Sequence, residues 1–220
     1  MCRFLIASSK KQFTPQRLLE TFASSCEKAI APNGDLQEDG WGVAWLDKKN
    51  KWQSKKSLQP IWKDNDTFST IPETKMLAVH ARSATFPKEK GNISYNQPYI
   101  AGKYCFVFNG AIRGVKLNRP VPGDTGAQKI WSLLQENLQK NTAAKSLENV
   151  KNYLEEHSEE IIALNIGVAA NDTIAALCKF SKHKNYYTLK YESNSLSIIS
   201  SVQIRGYSFN NILNNEIITF

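Results

Sequence analysis

The chain has 220 residues and a formal net charge of +8 at pH 7. Hydrophobic residues make up 41% of it and charged residues 22%, which excludes a disordered chain and indicates a globular fold. No apolar run approaches the roughly 20 residues that cross a bilayer, and the apolar stretch after Met1 is too short for a secretory signal. We therefore expect one domain over residues 1–220, cytoplasmic and without membrane contact.

Neither the positive charge nor the cysteines indicate a ligand by themselves. The lysines are scattered, and their densest cluster, at 48–56, is typical of a solvated hairpin, so we expect no nucleic-acid partner. Cys2, Cys26, Cys105 and Cys178 are far apart and form no CxxC pair, which argues against a zinc site and a disulfide framework. We expect free thiols and no metal.

The first half of the chain has strand and helix patterns in alternation. Thr14 with Pro15 indicates the start of a helix whose apolar spacing continues to about Ile30. A loop rich in Pro, Asn, Gly and Asp follows this helix. The strands predicted in this half lie at 2–7, 41–47, 51–58 and 76–82.

The second half places helices between two groups of strands. A strand at 99–108 is expected to stop at Asn109-Gly110, while Asp124 and Ser146 are expected to cap two helices. Later strands are predicted at 163–170, 173–180, 186–192, 195–201 and 216–220. Two runs of strands with helices before, between and over them predict an α+β layered sandwich.

Cys2 is the first candidate for chemistry. Removal of Met1 would leave one residue that carries both a thiol, the precursor of a nucleophilic thiolate, and an α-amine with a pKa of roughly 7.7–8.0 that can serve as a base. The alternative is a buried cysteine in a strand, which is the more frequent role of an isolated cysteine.

Asn109 and Gly110 are the second candidate. An asparagine amide and a glycine N–H that a substrate can approach closely are suited to an oxyanion hole, in which fixed donors stabilise the negative charge of an acyl-transfer intermediate. The alternative is a hairpin, because Asn-Gly is a strong signal for a type I′ turn.

Arg82 and Asp124 together match an amino-acid head group. A guanidinium can bind an α-carboxylate, and a carboxylate can bind an α-ammonium. Each also has an ordinary structural role, as a surface arginine and as a helix cap. His80 is interpreted as an interior polar residue, and the glycines around Trp41 in Asp39-Gly40-Trp41-Gly42 indicate close backbone packing beneath a site.

Six motifs in order and at matching spacing resemble the class II glutamine amidotransferase family. They are Met-Cys-Arg at 1–3, DGWG at 39–42, H-x-R-x-A-T at 80–85, N-x-P at 96–98, FNG at 108–110 and GDT at 123–125. The resemblance implies an N-terminal-nucleophile (Ntn) hydrolase with a four-layer αββα sandwich. The chain is most similar to short, stand-alone members that begin Cys-Arg, whose relatives hydrolyse γ-glutamyl amides.

The resemblance also implies roles for individual residues. Cys2 would be the nucleophile and, through its α-amine, the base, with Asn109 and Gly110 as the oxyanion hole. The implied substrate-binding residues are Arg82 for the α-carboxylate, Asp124 for the α-ammonium, and Thr85 and His80 with less defined roles. The substrate would be a γ-glutamyl compound, and no metal or organic cofactor would be needed.

The chain departs from the family in two places. The family pattern S-D-T-E is here Gly123-Asp124-Thr125-Gly126, and the segment Tyr95-Asn96-Gln97-Pro98-Tyr99 lacks the histidines that many members have. Substrate specificity is therefore left open. Two alternatives to an independent hydrolase also stay open: a glutaminase subunit that depends on a synthase partner, and a non-catalytic relative. A homodimer is open as well.

Overall fold

A computed structural model of the chain describes residues 1–170 and 172–220, and two antiparallel sheets form its centre. In spatial order, the larger sheet contains β11 (Asn210–Asn211), β9 (Lys190–Ser193), β10 (Ser197–Ser200), β1 (Arg3–Phe13), β4 (Thr74–Ala81), β2 (Trp41–Leu46) and β3 (Trp52–Ser57). The smaller sheet contains β12 (Glu216–Thr219), β8 (Thr173–Cys178), β7 (Glu160–Ala170), β6 (Tyr104–Arg113) and β5 (Tyr99–Ala101).

Helices cover the outer face of each sheet. The apolar face of α1 (Gln16–Glu27) packs on the larger sheet, and α2 (Gly126–Leu138) and α3 (Ala143–Glu156) pack on the smaller one. A short α4 (Lys184–Tyr187) precedes β9. The predicted four-layer αββα sandwich is confirmed. In the part of the chain that the structure describes, no helix has the length and apolar character needed to cross a membrane.

The inner faces of the two sheets are in close contact. Phe4 and Ile6 from β1 and Val107 from β6 belong to the buried apolar layer between them. Gly167 in β7 lies at a close contact in this layer, because a Cβ there would sit 2.8 Å from Val107 Cγ2 and 3.3 Å from both Ile6 Cδ1 and Phe4 Cε2. This contact brings the start of β1 over β6.

Several local predictions are wrong. The predicted strand at 99–108 is a hairpin of β5 and β6 that turns at Gly102, and β6 runs on through Asn109 and Gly110. Tyr186 and Tyr187, predicted in a strand, end α4. The caps of α2 and α3 are Thr125 and Thr142, whose side chains accept from Gln128 N–H and Lys145 N–H; Asp124 precedes its cap, and Ser146 is buried inside α3.

Gly167→Ala is expected to lower the free energy of unfolding by about 1–3 kcal/mol, because the stiff Val107 side chain cannot move away without repacking the layer between the sheets. Chemical denaturation measures the change. Gly126→Ala is the matched control, since a Cβ there meets nothing within 4 Å at the start of α2, and it should leave stability unchanged or raise it by up to about 1 kcal/mol. Equal effects of the two substitutions would contradict the tight sheet contact.

Candidate functional site

A cleft of about 1050 Å³ opens at the end of the sandwich where β1 begins. Five of the residues that the sequence singled out lie on its wall. They are Cys2, His80, Arg82, Thr85 and Gly110. The tertiary structure therefore brings together residues from the N-terminus, the end of β4, the loop after it and the middle of β6.

Sheet pairing fixes the position of Cys2. Arg3 pairs with Ala81 and Phe4 with His80, so Cys2 and Arg82 leave the larger sheet at the same end. Cys2 Sγ lies 3.5 Å from both the backbone nitrogen and the backbone oxygen of Ser83. The strand that follows Cys2 lies in the centre of the larger sheet, so the terminus is held in place.

The other cysteines are buried. All four are free thiols, as expected, and Cys2 alone among them is partly exposed and faces the cleft. Burial raises the pKa of the Cys26 and Cys105 thiols, and that of Cys178 to about 11. These three stay protonated near neutral pH and act as small apolar core residues.

Gln37 and Tyr186 hold the peptide bond before Cys2, a role that the sequence did not reveal. The Met1 carbonyl accepts from Gln37 Nε2 at 3.0 Å and from the Tyr186 hydroxyl at 2.8 Å. Gln37 is fully buried, and its Oε1 has no hydrogen-bond partner among the described residues. The buried Arg3 guanidinium lies 3.5 Å from the centre of the Tyr186 ring and donates to the Tyr186 carbonyl, which orients that ring.

Asn109 is buried between the sheets. Its side chain shares the strand face of Cys105 and Val107, which belong to the inter-sheet layer, and the residue is 1% exposed. Neither its Nδ2 nor its Oδ1 has a hydrogen-bond partner among the described residues. Because a buried amide without partners is costly, this one requires an explanation other than fold stability. Asn109 itself is not part of the described cleft wall.

Gly110 lies next to Asn109, inside β6 and opposite Leu164, so the hairpin alternative is wrong. A Cβ at this position would collide with the Ala163 carbonyl, which only glycine avoids. Phe108 N–H donates to Gln97 Oε1 at 2.6 Å, on the side of β6 that β5 has already left. Since alternate residues of a strand point their N–H groups to the same side, the Gly110 N–H faces that side too.

His80 connects the two sheets beside this segment. It is fully buried, and its Nε2 lies 3.1 Å from the Phe108 carbonyl. Burial, with a smaller contribution from the positive charges of Arg82 and Lys56, lowers the pKa of His80 to about 3. The ring is therefore neutral near pH 7, and its Nε2–H donates to the Phe108 oxygen. This agrees with its interpretation as an interior polar residue.

Arg82 is a buried guanidinium on the cleft wall. Its Nη2 donates to the Glu89 carbonyl at 2.8 Å, and its Nη1 donates to Asn96 Oδ1 at 3.4 Å. The Glu89 carboxylate lies 4.0 Å away. Arg82 is thus oriented before any ligand binds, which lowers the entropy lost when it engages a carboxylate.

The Asp39-Gly40-Trp41-Gly42 segment packs against residues that support the cleft wall. Asp39 Oδ2 accepts from Ala84 N–H at 2.8 Å and so orders the loop that carries Thr85. A Cβ on Gly40 would collide with Asn96 and one on Gly42 with the Gln97 carbonyl. The predicted close backbone packing is confirmed, and its partner is the Asn96-Gln97 segment.

Asp124 lies outside the described cleft wall. It is exposed, and its N–H donates to Gln128 Oε1 at 2.9 Å. Glu89 is the acidic residue on the described part of the wall, close to Arg82. The sequence offered no signal for Glu89, because its position depends on the fold of the 83–98 loop.

Comparisons with known proteins identify the fold. No protein-family model and no curated protein matches the chain significantly. A glutamine aminotransferase class-II domain protein from Silicibacter pomeroyi superposes with a TM-score of 0.64 at 14% identity, over 99% of this chain and 94% of that one. A protein described as a predicted glutamine amidotransferase from Pseudomonas aeruginosa gives 0.55 at 12% identity, over 100% and 97%.

A third similar structure is much longer. The glutamine phosphoribosylpyrophosphate amidotransferase from B. subtilis, solved with ADP and GMP, gives a TM-score of 0.65 at 13% identity; all of this chain covers 47% of that enzyme. At such identities the shared property is the fold. The resemblance to class II glutamine amidotransferases and their Ntn-hydrolase sandwich is thereby confirmed at the level of fold.

The neutral, buried His80 leads to a prediction about how the stability of the fold depends on pH. The pKa of His80 is about 3 in the folded chain, whereas its ordinary value, which applies to the unfolded chain, is 6.5. Between these two pH values the unfolded chain binds more protons than the folded chain, so the free energy of unfolding falls as the pH decreases through this range. Between about pH 7.5 and about pH 5, His80→Gln should lose about 2 kcal/mol less unfolding free energy than the original chain. Denaturation at both pH values measures this, and identical losses would contradict a neutral His80.

Proposed function

We propose that this chain, which shares its fold with class II glutamine amidotransferases, is an amidohydrolase that cleaves the side-chain amide of glutamine or a γ-glutamyl compound. Removal of Met1 makes Cys2 the N-terminal nucleophile. The observation that carries the proposal is an accessible Cys2 thiol on the same cleft wall as Gly110, whose neighbour Asn109 has a buried amide with no partner among the described residues. A folded chain retains such an amide where it serves a ligand.

Catalysis proceeds through a γ-glutamyl thioester. The Cys2 thiolate attacks the amide carbonyl, and Asn109 Nδ2 and the Gly110 N–H donate to the oxyanion that forms. The carbon–nitrogen bond then breaks, the α-amine delivers the thiol proton to the leaving amine, and a γ-glutamyl thioester remains. Water, activated by the same α-amine, hydrolyses the thioester to glutamate and regenerates the thiol.

His80 and Gln97 act as positioning residues for the oxyanion hole. They satisfy the Phe108 carbonyl and N–H, which flank the peptide that leads into Asn109. Because both partners are buried, this part of β6 keeps one geometry while the charge on the substrate changes.

Gln37 and Tyr186 position the base. Once Met1 is gone, the Cys2 nitrogen becomes the α-amine, next to the place where these side chains now hold the Met1 carbonyl. The Gln37 Oε1, which has no partner in the described chain, is then available to accept from the amine. The terminus is held from both sides, so the amine stays beside the thiol of its own residue.

The glutamyl head group binds beside the nucleophile, where Cys2 and Arg82 leave neighbouring strands of the larger sheet. Arg82 binds the α-carboxylate, and the loop with Thr85 borders it. Two carboxylates are candidates for the α-ammonium: Asp124, which the family resemblance implies, and Glu89, which lies on the described wall beside Arg82. No metal or organic cofactor takes part in the proposed reaction.

The proposal is tested by glutamate release from glutamine and γ-glutamyl amides, with the N-terminus verified by mass spectrometry. Processed protein should release glutamate, and Cys2→Ala should lower turnover to background, because no other group can form the thioester. Activity in Cys2→Ala would disprove the mechanism. No release from processed wild-type protein would instead favour a subunit that depends on a synthase partner or a non-catalytic relative.

Asn109 and Asn165 form a matched pair, because they lie opposite each other in β6 and β7. Asn165 is satisfied: it donates to the Tyr187 carbonyl and accepts from Lys179 N–H. Asn109→Ala should lower kcat by about 10²–10³-fold with little loss of stability. Asn165→Ala should instead lower the unfolding free energy by about 1–3 kcal/mol. If Asn109→Ala mainly destabilised the chain, the oxyanion role would be wrong.

A further inference from the structure

The cleft extends well beyond the nucleophile, and its far half is lined mainly by apolar side chains. There β6, α2 and α3 contribute carbon-rich side chains that include Ile130, Leu133 and Leu154, all nearly inaccessible from outside. Leu117 and Val121 line the same half from the loop that connects β6 to α2, residues 114–125. One continuous cleft therefore joins the reactive thiol to an apolar chamber.

The 114–125 loop is fastened in place above this chamber. Lys116 N–H donates to the His157 carbonyl at 2.8 Å, and Asn118 Oδ1 accepts from the Tyr153 hydroxyl at 2.7 Å. Farther along, Arg119 forms an ion pair with Glu136 of α2, and the Pro122 carbonyl accepts from Ser132 Oγ at 2.9 Å. These contacts along its length fasten the loop to α2 and to the end of α3, so the wall that it forms is part of the folded architecture.

Glutamine does not account for this space. Its glutamyl part is held near Arg82, and its leaving group is ammonia, which needs no apolar wall. A volume of about 1050 Å³ is that of a pocket for a considerably larger ligand. A substituent on the amide nitrogen would extend from the thiol into the remaining cleft, which is the apolar half.

The charged side chains on the cleft wall indicate which chemical group the far end of such a substituent carries. Four cations line the cleft, of which Arg82 faces Glu89, Arg113 pairs with Glu160 and Arg119 pairs with Glu136. Lys129, near the start of α2, makes no ion pair within the described chain. It is thus free to attract an anion beside the apolar chamber.

We infer that the leaving group is an amino acid with a large apolar side chain, so that the preferred substrate is a γ-glutamyl dipeptide such as γ-glutamyl-phenylalanine. The inference rests on the proposed function. The apolar side chain fills the chamber under the 114–125 loop, and the free carboxylate of the dipeptide pairs with Lys129. The γ-amide bond breaks, its nitrogen gains a proton, and one water completes the products glutamate and phenylalanine.

The experiment compares kcat/KM for glutamine, γ-glutamyl-glycine, γ-glutamyl-phenylalanine and the C-terminal amide of the last, all with processed protein. γ-Glutamyl-phenylalanine should exceed γ-glutamyl-glycine at least about tenfold, because its side chain is buried on binding. The C-terminal amide should have a higher KM than the free acid. Lys129→Met should remove that difference in KM, because the Lys129 ammonium pairs only with the free carboxylate of the dipeptide.

A matched pair of variants tests the chamber itself. Leu117→Asn places an amide of similar size in the apolar wall and should remove most of the preference for phenylalanine while glutamine hydrolysis stays unchanged. Leu213→Asn makes the same change at an exposed position outside the described wall and should leave every substrate unaffected. A further measurement uses the wild-type chain: L-phenylalanine should inhibit glutamine hydrolysis, and glycine should not.

Two kinds of failure are distinguishable. Equal kcat/KM values for γ-glutamyl-glycine and γ-glutamyl-phenylalanine, or no inhibition by L-phenylalanine, would overturn the dipeptide inference while Cys2-dependent release left the proposed function intact. An absence of Cys2-dependent release from every substrate would instead overturn the proposed function on which the inference rests.

Discussion

The hydrogen bond from His80 to the Phe108 carbonyl joins the two sheets at the end where the cleft opens. His80 pairs with Phe4 in the larger sheet, while Phe108 directly precedes Asn109 in the smaller one. A single buried contact therefore relates the strand that begins after Cys2 to the strand that carries the oxyanion candidates. Because the ring is neutral, it provides this link without a buried charge, whose desolvation would destabilise the fold.

Most of the buried polar atoms without partners among the described residues belong to this contact, to Asn109 or to residues around the Met1–Cys2 peptide bond. They include Gln37 Oε1, His80 Nδ1 and both amide atoms of Asn109, whereas Asn165, opposite Asn109, is fully satisfied. A chain selected for stability alone would pair or remove such groups, since each reduces the free energy of folding. Local costs of this kind at one end of an otherwise well-packed sandwich are typical of a site whose polar groups serve a ligand.

Sequence patterns predicted the elements whose signals are local. The apolar spacing of α1 and the two strands around the 47–51 turn have their expected positions, because side-chain periodicity determines which face of an element is buried. Asn109-Gly110 was different. Its turn signal was overridden by pairing with β7, a contact with residues more than 50 positions away, so the strand continues where local chemistry predicted its end.

The sequence by itself determined the fold class, the residue types available for acyl transfer and the candidates Cys2, Arg82 and Gly110. The reason is that the order and spacing of motifs can be read directly from the amino-acid sequence. Only the tertiary structure decided how these candidates are arranged: Asn109 lies buried between the sheets and Asp124 lies outside the described wall. It also showed that Glu89 lies on the wall and that Gln37 and Tyr186 hold the Met1 carbonyl. These outcomes depend on contacts between strands and loops that are distant along the chain. Such contacts follow from how the layers pack, which local sequence does not encode.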